Sequence, residues 1–275
     1  MRIAAADWSI DPHKRWVCEC VDGLVSAPRR VHDAAGLLSG DGPAVVGFDF
    51  PIGMPAAYCR AAGFSHFFEC LNIDWTPSNR PSLAQPFFPH PPNRKMPELE
   101  AALGMKRDAW LRECDRRAKA GPLFWLVGAK QVGRAAISGW KEVLRVRPEG
   151  WKIWPFEAVD AQRDKWVAEI YPALGYPSNF GKRDPARRRA YASELILRAE
   201  RLRLRLTEDL KTSVREGFGP RPEGEDPFDA FVGLLGMVES SQQVPFPDAP
   251  VDAEVRQLEG WIMSSKLELT DRVCV

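Results

Sequence analysis

Short apolar runs separated by turn residues open the chain and predict a meander of three strands. The runs are "RIAAADWS", "KRWVCECV" and "GLVSAP", within residues 2–28. The dipeptide Asp22-Gly23 separates the second run from the third and is typical of a two-residue hairpin turn. The segment "RVHDAAGLLSG" follows and closes on Gly40, which predicts a short helix. The run "PAVVGFDFPIG" then predicts a fourth strand, which carries Asp49 near its end and stops at Pro51.

The pattern changes after the fourth strand. From 55 to 155 the sequence is irregular, aromatic and rich in proline, with helical stretches predicted at 97–119 and 130–145. Prolines are concentrated between 76 and 97, where they exclude regular structure and predict a long loop. This part of the chain therefore interrupts the regular alternation of elements and is interpreted as an insertion.

Regular periodicity returns after the insertion. The run "KWVAEIYP" predicts a strand that contains Glu169, and "PARRRAYASELILRAERLRLRL" predicts one helix over 185–206. A last helix is predicted from "EGEDPFDAFVGLLGM" at 223–237, and a short final element around Trp261. A meander followed by alternating strands and helices predicts an α/β fold with a mixed sheet.

The order of elements is that of the ribonuclease-H-like fold. We therefore expect a mixed five-stranded sheet flanked by helices, in a single domain over residues 1–275. The irregular and helical segment 55–155 would be a large insertion after the fourth strand.

Composition narrows the class of protein. The chain has 275 residues, 45% hydrophobic and 27% charged, which is typical of a soluble globular protein. The formal net charge of +1 excludes a globally basic nucleic-acid binder, so binding of that kind would need a local patch. No apolar run reaches membrane-spanning length and the start of the chain lacks an export pattern, so we expect a cytoplasmic protein. The six cysteines do not have zinc spacing and are expected to be reduced.

Acidic residues interrupt the predicted core elements. They are Asp7, Asp49 and Glu169 in strands, and Asp226 and Asp229 at the head of the last helix. Ionised carboxylates in a dry core are costly unless something neutralises them, and neighbouring carboxylates repel one another. Because Mg²⁺ prefers hard oxygen ligands, the sequence predicts a site for Mg or Mn.

Each acid also has a purely structural interpretation. Asp7 could cap the turn after its strand, and Asp49 could bond loop amides. Glu169 could pair with Arg189 or Lys182. At the last helix Asp226 could be the N-cap, with Asp229 as the third-position acid of a capping box.

Spacing on the last helix favours the metal interpretation. Asp229, Gly233 and Gly236 lie along one helical stripe. Two glycines inside a helix call for a packing reason, since each costs about 0.5–1 kcal/mol relative to alanine. We expect the stripe to bring this helix close to the sheet, with Asp229 directed at Asp7.

Several motifs together resemble a known group. They are "AADWS", "VVGFDFPIGMP", "LVGAKQVGRAAISGW", "WPFE", "VAEIYP" and "EDPFDAFVGLLGM…EGWI", spread over residues 3–263. They resemble the bacterial domain-of-unknown-function family 429, described as predicted ribonuclease-H-like nucleases, and the layout is similar to Holliday-junction resolvases. The resemblance implies that Asp7, Asp49 and the Asp226/Asp229 pair are the site acids, with Glu169 in a strand motif that resolvases do not share.

The chemistry expected from these residues is two-metal hydrolysis of a phosphodiester. Asp7 would bridge two Mg²⁺ or Mn²⁺ ions, and Asp49 and Asp229 would complete their coordination. Asp226 or Glu169 would be an outer ligand. Nucleic acid is the expected partner, with DNA or RNA left open, and the chain could form a homodimer.

Basic residues are candidates for substrate contacts. They are Lys182, Arg187, Arg188 and Arg189 around the 185–206 helix, Arg80 in the proline-rich loop, and Lys130 in "GAKQVG". A solvated helix face is an equally good explanation of the basic helix. "GAKQVG" lacks the Gly-Lys-Ser/Thr ending, so it is not a phosphate loop of the usual kind.

Two other functions compete with the nuclease. An actin-like ATPase or sugar kinase needs a glycine-rich turn after the first aspartate, whereas Asp7 is followed by Trp8 and Ser9. A non-catalytic module that binds nucleic acid or protein is the second rival, which a cleavage assay separates from the nuclease.

Overall fold

Eight strands form one mixed sheet with helices packed on it, as the α/β prediction requires. The computed structural model describes residues 1–89, 92–126, 132–242, 250, 252–264 and 267, with the side chains of 92–96 left aside. The strands are β1 (Arg2–Asp7), β2 (Trp16–Val21), β3 (Leu24–Val25), β4 (Arg29–Arg30), β5 (Ala44–Phe48), β6 (Trp151–Ile153), β7 (Lys165–Glu169) and β8 (Arg205–Leu206).

The α-helices within the described ranges are mostly short. They are α1 (Ala56–Ala62), α2 (Phe67–Leu71), α3 (Pro92–Leu103), α4 (Glu113–Ala118), α5 (Val132–Gly139), α6 (Pro185–Ala190), α7 (Ala192–Arg201), α8 (Glu208–Arg215) and α9 (Glu225–Ser241). π-Helical turns follow at Trp140–Leu144 and Val255–Glu259. None of the described helices is long and apolar enough to cross a bilayer.

Strand order places β1 at the centre of the sheet. The order is β6-β7-β5-β1-β2-β3-β8, with β4 paired to β2. β1 is antiparallel to β2 and parallel to β5, and β5 and β6 are both parallel to β7. The predicted number of five strands is wrong, because β4, β6 and β8 have only two or three residues and give no readable alternation.

The predicted hairpin between β2 and β3 is confirmed. Cys20 pairs with Val25 and Val21 with Leu24, which leaves Asp22 and Gly23 as the turn. Both turn residues have positive φ, 49° and 80°, as a type I′ turn requires.

The predicted helix over 30–40 is wrong. Residues 35–38 form turns, in which the amides of Leu37 and Leu38 donate to the carbonyl of Ala34. The side chain of Asp33 takes the amides of Ala35 and Gly36 instead of leaving them to a helix. A local side-chain bond therefore replaces the helical ladder.

The single helix predicted over 185–206 is also wrong. It is broken at Tyr191 into α6 and α7, and α7 ends at Arg201. Arg203 then adopts a left-handed conformation with φ 58°, and the chain enters β8, which pairs with β3. Strand pairing overrides the helical preference of the last residues.

The insertion 55–155 carries α1 to α5 and also β6, which pairs with β7. The predicted loop at 76–97 is irregular through residue 89, while α3 starts at Pro92. Its aromatic side chains are packed rather than presented to solvent: Phe87 is fully buried and Phe88 is 4% exposed. The insertion therefore packs into one core together with one face of the sheet.

Alternation along β1 separates the two faces of the sheet. Ala4 and Ala6 pack into the core shared with the insertion, whereas Ile3 and Ala5 pack into the core that contains α9. Helix α9 lies on this second face and is buried along most of its length. A Cβ added at Gly233 would lie 3.5 Å from the Cβ of Ala5, so the expected close approach of α9 to the sheet is confirmed there. Gly236 does not contribute to it.

Gly47 in β5 should be sensitive to a single added methyl group. A Cβ at this position would lie 2.5 Å from both Cγ2 of Ile170 and Sδ of Met237. We expect Gly47→Ala to lower the free energy of unfolding by about 1–3 kcal/mol in urea titrations, because the packed neighbours must shift. Gly236→Ala is the control: only Nη2 of Arg198 lies within 4 Å, at 3.9 Å. It should be stabilising by about 0.5–1 kcal/mol. Equal stability of the two variants would contradict this account.

Candidate functional site

Asp7 and Asp49 meet because β1 and β5 are parallel neighbours in register. Ala6 pairs with Phe48, and the amide of Asp49 donates to the carbonyl of Ala6 at 3.0 Å. Each acid thus stands at the carboxyl end of its strand, at the same edge of the sheet. Asp7 continues the Ile3 and Ala5 side of β1, so it faces the layer that contains α9.

Helix α9 brings Asp226 and Asp229 to this edge. The helix starts at Glu225 with Gly224 at the N-cap position and without a side-chain cap, so the interpretation of Asp226 as N-cap is wrong. Asp229 precedes Gly233 by four residues and lies on the same side of the helix. Since Gly233 lies against Ala5, Asp229 is placed beside the end of β1.

The four aspartates influence one another electrostatically. Burial raises the pKa of Asp7 well above its usual value, and the charges of Asp229, Asp49 and Asp226 raise it further. Burial and Asp229 raise the pKa of Asp49 to about 7, and the same two causes raise that of Asp226 to about 6. The acids predicted to bind metal therefore form one cluster, hereafter the aspartate cluster (Asp7, Asp49, Asp226 and Asp229).

Lys182, predicted to contact substrate, is instead paired within this cluster. Its Nζ donates to Oδ2 of Asp229. Asp229 is 3% exposed, and its Oδ1 is buried without a hydrogen-bond partner among the described residues. One oxygen of this carboxylate is thus engaged by an internal cation and the other is unsatisfied, which is costly unless a ligand arrives.

Glu169 belongs to a different network. Oε2 and Oε1 accept hydrogen bonds from the Arg112 guanidinium at 2.6 and 2.7 Å, and Oε2 also accepts the amide of Ile52 at 2.6 Å. The alternative that Glu169 pairs with a basic residue is confirmed, but the partner is Arg112 rather than Arg189 or Lys182. Both oxygens are engaged, so this acid holds the chain after Asp49 in place instead of offering a free ligand.

Arg112 is fully buried and was not identified from the sequence. Besides Glu169, it bonds both oxygens of Asp115 at 2.9 and 2.8 Å and the carbonyl of Glu259 at 3.3 Å. The Glu259 carboxylate in turn accepts the amides of Ala56 and Glu113. The network (Arg112, Asp115, Glu169) therefore joins the insertion, β7 and the C-terminal segment.

A cavity of about 270 Å³ opens beside the aspartate cluster and the Arg112 network. Its acidic lining comprises Asp7, Asp49, Asp115 and Glu169. Trp8 and Tyr171 supply aromatic walls, and Ala120, Gly121 and Ala135 of the insertion close the opposite side. The strand-end acids thus face a space large enough for a small group, bounded on one side by the insertion 55–155.

Within the described ranges, no three His, Cys, Asp or Glu side chains stand where they could hold one metal ion together. The donors present nevertheless suit a hard cation, because they are carboxylates and the Oδ1 atom of Asp229 is buried and unsatisfied. Binding would require side-chain movement, above all at the Lys182–Asp229 ion pair.

The remaining basic candidates are dispersed. Arg188 is fully buried and donates to backbone carbonyls, so it stabilises loops instead of facing a ligand. Arg187 and Arg189 on α6 are exposed, as is Arg80 in the long loop. Lys130 lies outside the described residues.

Two exposed arginines flank Glu225 next to the aspartate cluster: Arg183 at 3.8 Å, from the basic stretch before α6, and Arg221 at 3.5 Å, which the sequence did not indicate. Their place beside the site depends on the turn before α9, and no local motif signals it.

No family model, curated protein or solved structure matches the chain. The resemblance to family 429 therefore stays a prediction that rests on the quoted motifs.

Removing the Arg112 charge should strongly destabilise the fold. Arg112→Met leaves Glu169 and Asp115 buried without their counter-ion, so we expect a loss of about 3–5 kcal/mol in the free energy of unfolding. Arg201→Met is the control, since the Arg201–Glu194 pair is 67% and 49% exposed. It should cost less than about 1 kcal/mol. Denaturant titration compares the two variants. A loss of less than about 1 kcal/mol in the free energy of unfolding of Arg112→Met would show that the network does not stabilise the fold.

The aspartate cluster predicts a pH dependence of stability in the presence of EDTA. Asp49 has a pKa of about 7 in the folded chain against an ordinary 3.8, so the folded state holds a proton that the unfolded state releases between these values. Stability should therefore fall as pH rises through this window.

Asp49→Asn removes the contribution of Asp49 to this fall in stability, because asparagine does not ionise. At about pH 8 its Tm should exceed that of the parent by about 3 °C or more, since about 1 kcal/mol shifts the Tm of a chain this size by roughly 2–4 °C. At about pH 4 the two should agree. Asp41→Asn, at an exposed position outside the cluster, should follow the parent at both pH values. Parallel pH profiles for Asp49→Asn and the parent, measured by thermal denaturation, would contradict the prediction.

Proposed function

We propose that this protein is a metal-dependent nuclease that hydrolyses phosphodiester bonds with two Mg²⁺ or Mn²⁺ ions on a ribonuclease-H-like fold. The observation that carries the proposal is the meeting of Asp7, Asp49 and Asp229 from three elements at one edge of the sheet. Such crowding of buried carboxylates is tolerated when protons or cations neutralise them.

The arrangement of the sheet supports the fold part of this proposal. The antiparallel meander β1-β2-β3 is followed by β5 and β7, which extend β1 in the parallel sense. Helix α9 crosses β1 and β2 and delivers the last acids. These are the features on which the expected ribonuclease-H-like layout depends.

Asp7, Asp49 and Asp229 would hold the ions, with Asp226 at the margin. When bound, two such ions activate a water molecule and stabilise the leaving oxygen. Asp7 is the best candidate for a shared ligand, because the other three aspartates all act on its charge. Glu169 would keep the Asp49 loop in place through Ile52 and is not proposed as a ligand.

Residues around the cavity would position the substrate. The cavity is close to the lower size limit of small-molecule sites, roughly 300 Å³. Trp8 and Tyr171 offer aromatic surface at its edge, and the insertion narrows it. The exposed cations Arg183, Arg187 and Arg221 could attract the phosphate backbone, which would make binding weaken as salt increases.

The surroundings of Asp7 disfavour the kinase-like alternative. Trp8 is 3% exposed and packs edge-on against Phe48, with ring centroids 5.4 Å apart. Its indole also reaches Ser138 at 3.3 Å. A bulky buried side chain thus stands where nucleotide phosphates would need a glycine-rich turn.

Cleavage assays test the proposed function. The parent should cut at least one of single-stranded, duplex, hybrid and branched substrates with Mn²⁺, and EDTA should abolish cutting. Asp7→Asn and Asp229→Asn should each lower the rate by about 100-fold or more, as expected when a charge-stabilising group is removed. Asp41→Asn should retain the parent rate. Binding without cutting on every substrate would favour the non-catalytic module.

A further inference from the structure

Lys182 enters the aspartate cluster from the loop before α6. Its Nζ bonds Asp229, and its side chain is 33% exposed. Burial is the largest single influence and works against its charge, but Asp229, Tyr176 and Asp7 together outweigh burial and raise the pKa of Lys182 above its usual value. Its charge also opposes the raised pKa values of Asp7, Asp49 and Asp226. Lys182 thus acts on the whole cluster.

A second cation, Arg188, fixes the backbone at Lys182. The Arg188 side chain is fully buried and donates to the carbonyls of Lys182, Gly217 and Gly219. A Cβ at Gly224 would lie 2.6 Å from Nη2 of Arg188, so the missing side chain makes room for the guanidinium. Arg188 therefore ties the Lys182 loop to the turn that starts α9, and this fixes the backbone position from which the Lys182 side chain reaches Asp229.

We propose that Lys182 is a resident counter-ion that a divalent cation must displace from Asp229. This inference rests on the metal site of the proposed function. A carboxylate oxygen bonded to an ammonium is not available to an ion, and the positive charges of ion and ammonium repel at such short range. In the absence of metal the ammonium partly neutralises the cluster, so the chain folds with its acids already in place.

Displacement has a measurable consequence for affinity. A site that is free of Lys182 for only a fraction of the time binds an ion with an affinity reduced by that fraction. Removing the ammonium should therefore tighten binding of Mn²⁺. The opposite role, in which Lys182 orients Asp229 for the ion, predicts weaker binding after its removal.

Calorimetric titration with Mn²⁺ distinguishes these roles. The proteins are the parent, Lys182→Met, Asp229→Asn, and Lys14→Met as a matched control. Lys14 is exposed. Its positive charge lowers the pKa of Asp226, but by less than the charge of Lys182 does. We expect Lys182→Met to bind Mn²⁺ about tenfold more tightly than the parent, as follows if the pair is closed about nine-tenths of the time. Lys14→Met should stay within about twofold, because an exposed charge is screened.

Thermal denaturation gives a second readout. In EDTA, Lys182→Met should have a lower Tm than the parent, because the acids lose their counter-ion. Saturating Mn²⁺ should raise its Tm by more than it raises that of the parent. Lys182→Gln serves in place of Lys182→Met if the latter does not fold.

The outcomes separate this inference from the proposed function. Displacement is supported if Lys182→Met binds Mn²⁺ more tightly than the parent while Lys14→Met does not. It is also supported if Lys182→Met binds Mn²⁺ and the parent does not. Equal or weaker binding by Lys182→Met, with binding lost in Asp229→Asn, overturns displacement and leaves the metal site standing. Absence of Mn²⁺ binding in all four proteins overturns both.

Discussion

Parallel pairing of β1 with β5 imposes the problem that the rest of the site must solve. It brings Asp7 and Asp49 to the same edge, where burial and mutual repulsion oppose their ionisation. Helix α9 adds Asp229 instead of relieving the charge. Only one lysine, Lys182, bonds this cluster within the described residues, and it leaves the acids with raised pKa values. The proposed metal ions would complete the neutralisation of these carboxylates.

The same sheet edge contains a second and opposite solution to buried charge. Around Arg112 the hydrogen-bonding capacity of Glu169 and Asp115 is largely used, and the network is closed. Side-chain parity decides which acid meets which solution. Asp7 lies on the α9 side of β1, whereas Glu169 alternates with Trp166, Ala168 and Ile170, which belong to the α9 side of β7. It therefore turns towards the insertion, where Arg112 is found.

The sequence predicted those features that depend on neighbours in the chain. The hairpin at Asp22-Gly23 and the strand containing Glu169 follow from local patterns, and the position of each aspartate follows from the element that carries it. Parity could not be read, because strands buried on both faces are apolar throughout. The partner of Glu169 lies 57 residues away in the insertion, which has no recognisable period. Burial of Arg188 was equally invisible, since its neighbours Arg187 and Arg189 are exposed.

The path of the Arg112 network has a consequence for the evolution and engineering of this chain. One buried guanidinium, that of Arg112, joins the insertion to Glu169 of β7 and to the carbonyl of Glu259. The insertion therefore supplies the counter-ion of an acid that belongs to the sheet. Deleting 55–155 to obtain a minimal domain would leave Glu169 buried without its counter-ion. It would also weaken the bond through which Glu169 holds the loop after Asp49. A segment that interrupts the order of the elements thus contributes to the packing of the sheet, and we expect changes in its loops to be tolerated only where Arg112 and its partners keep their positions.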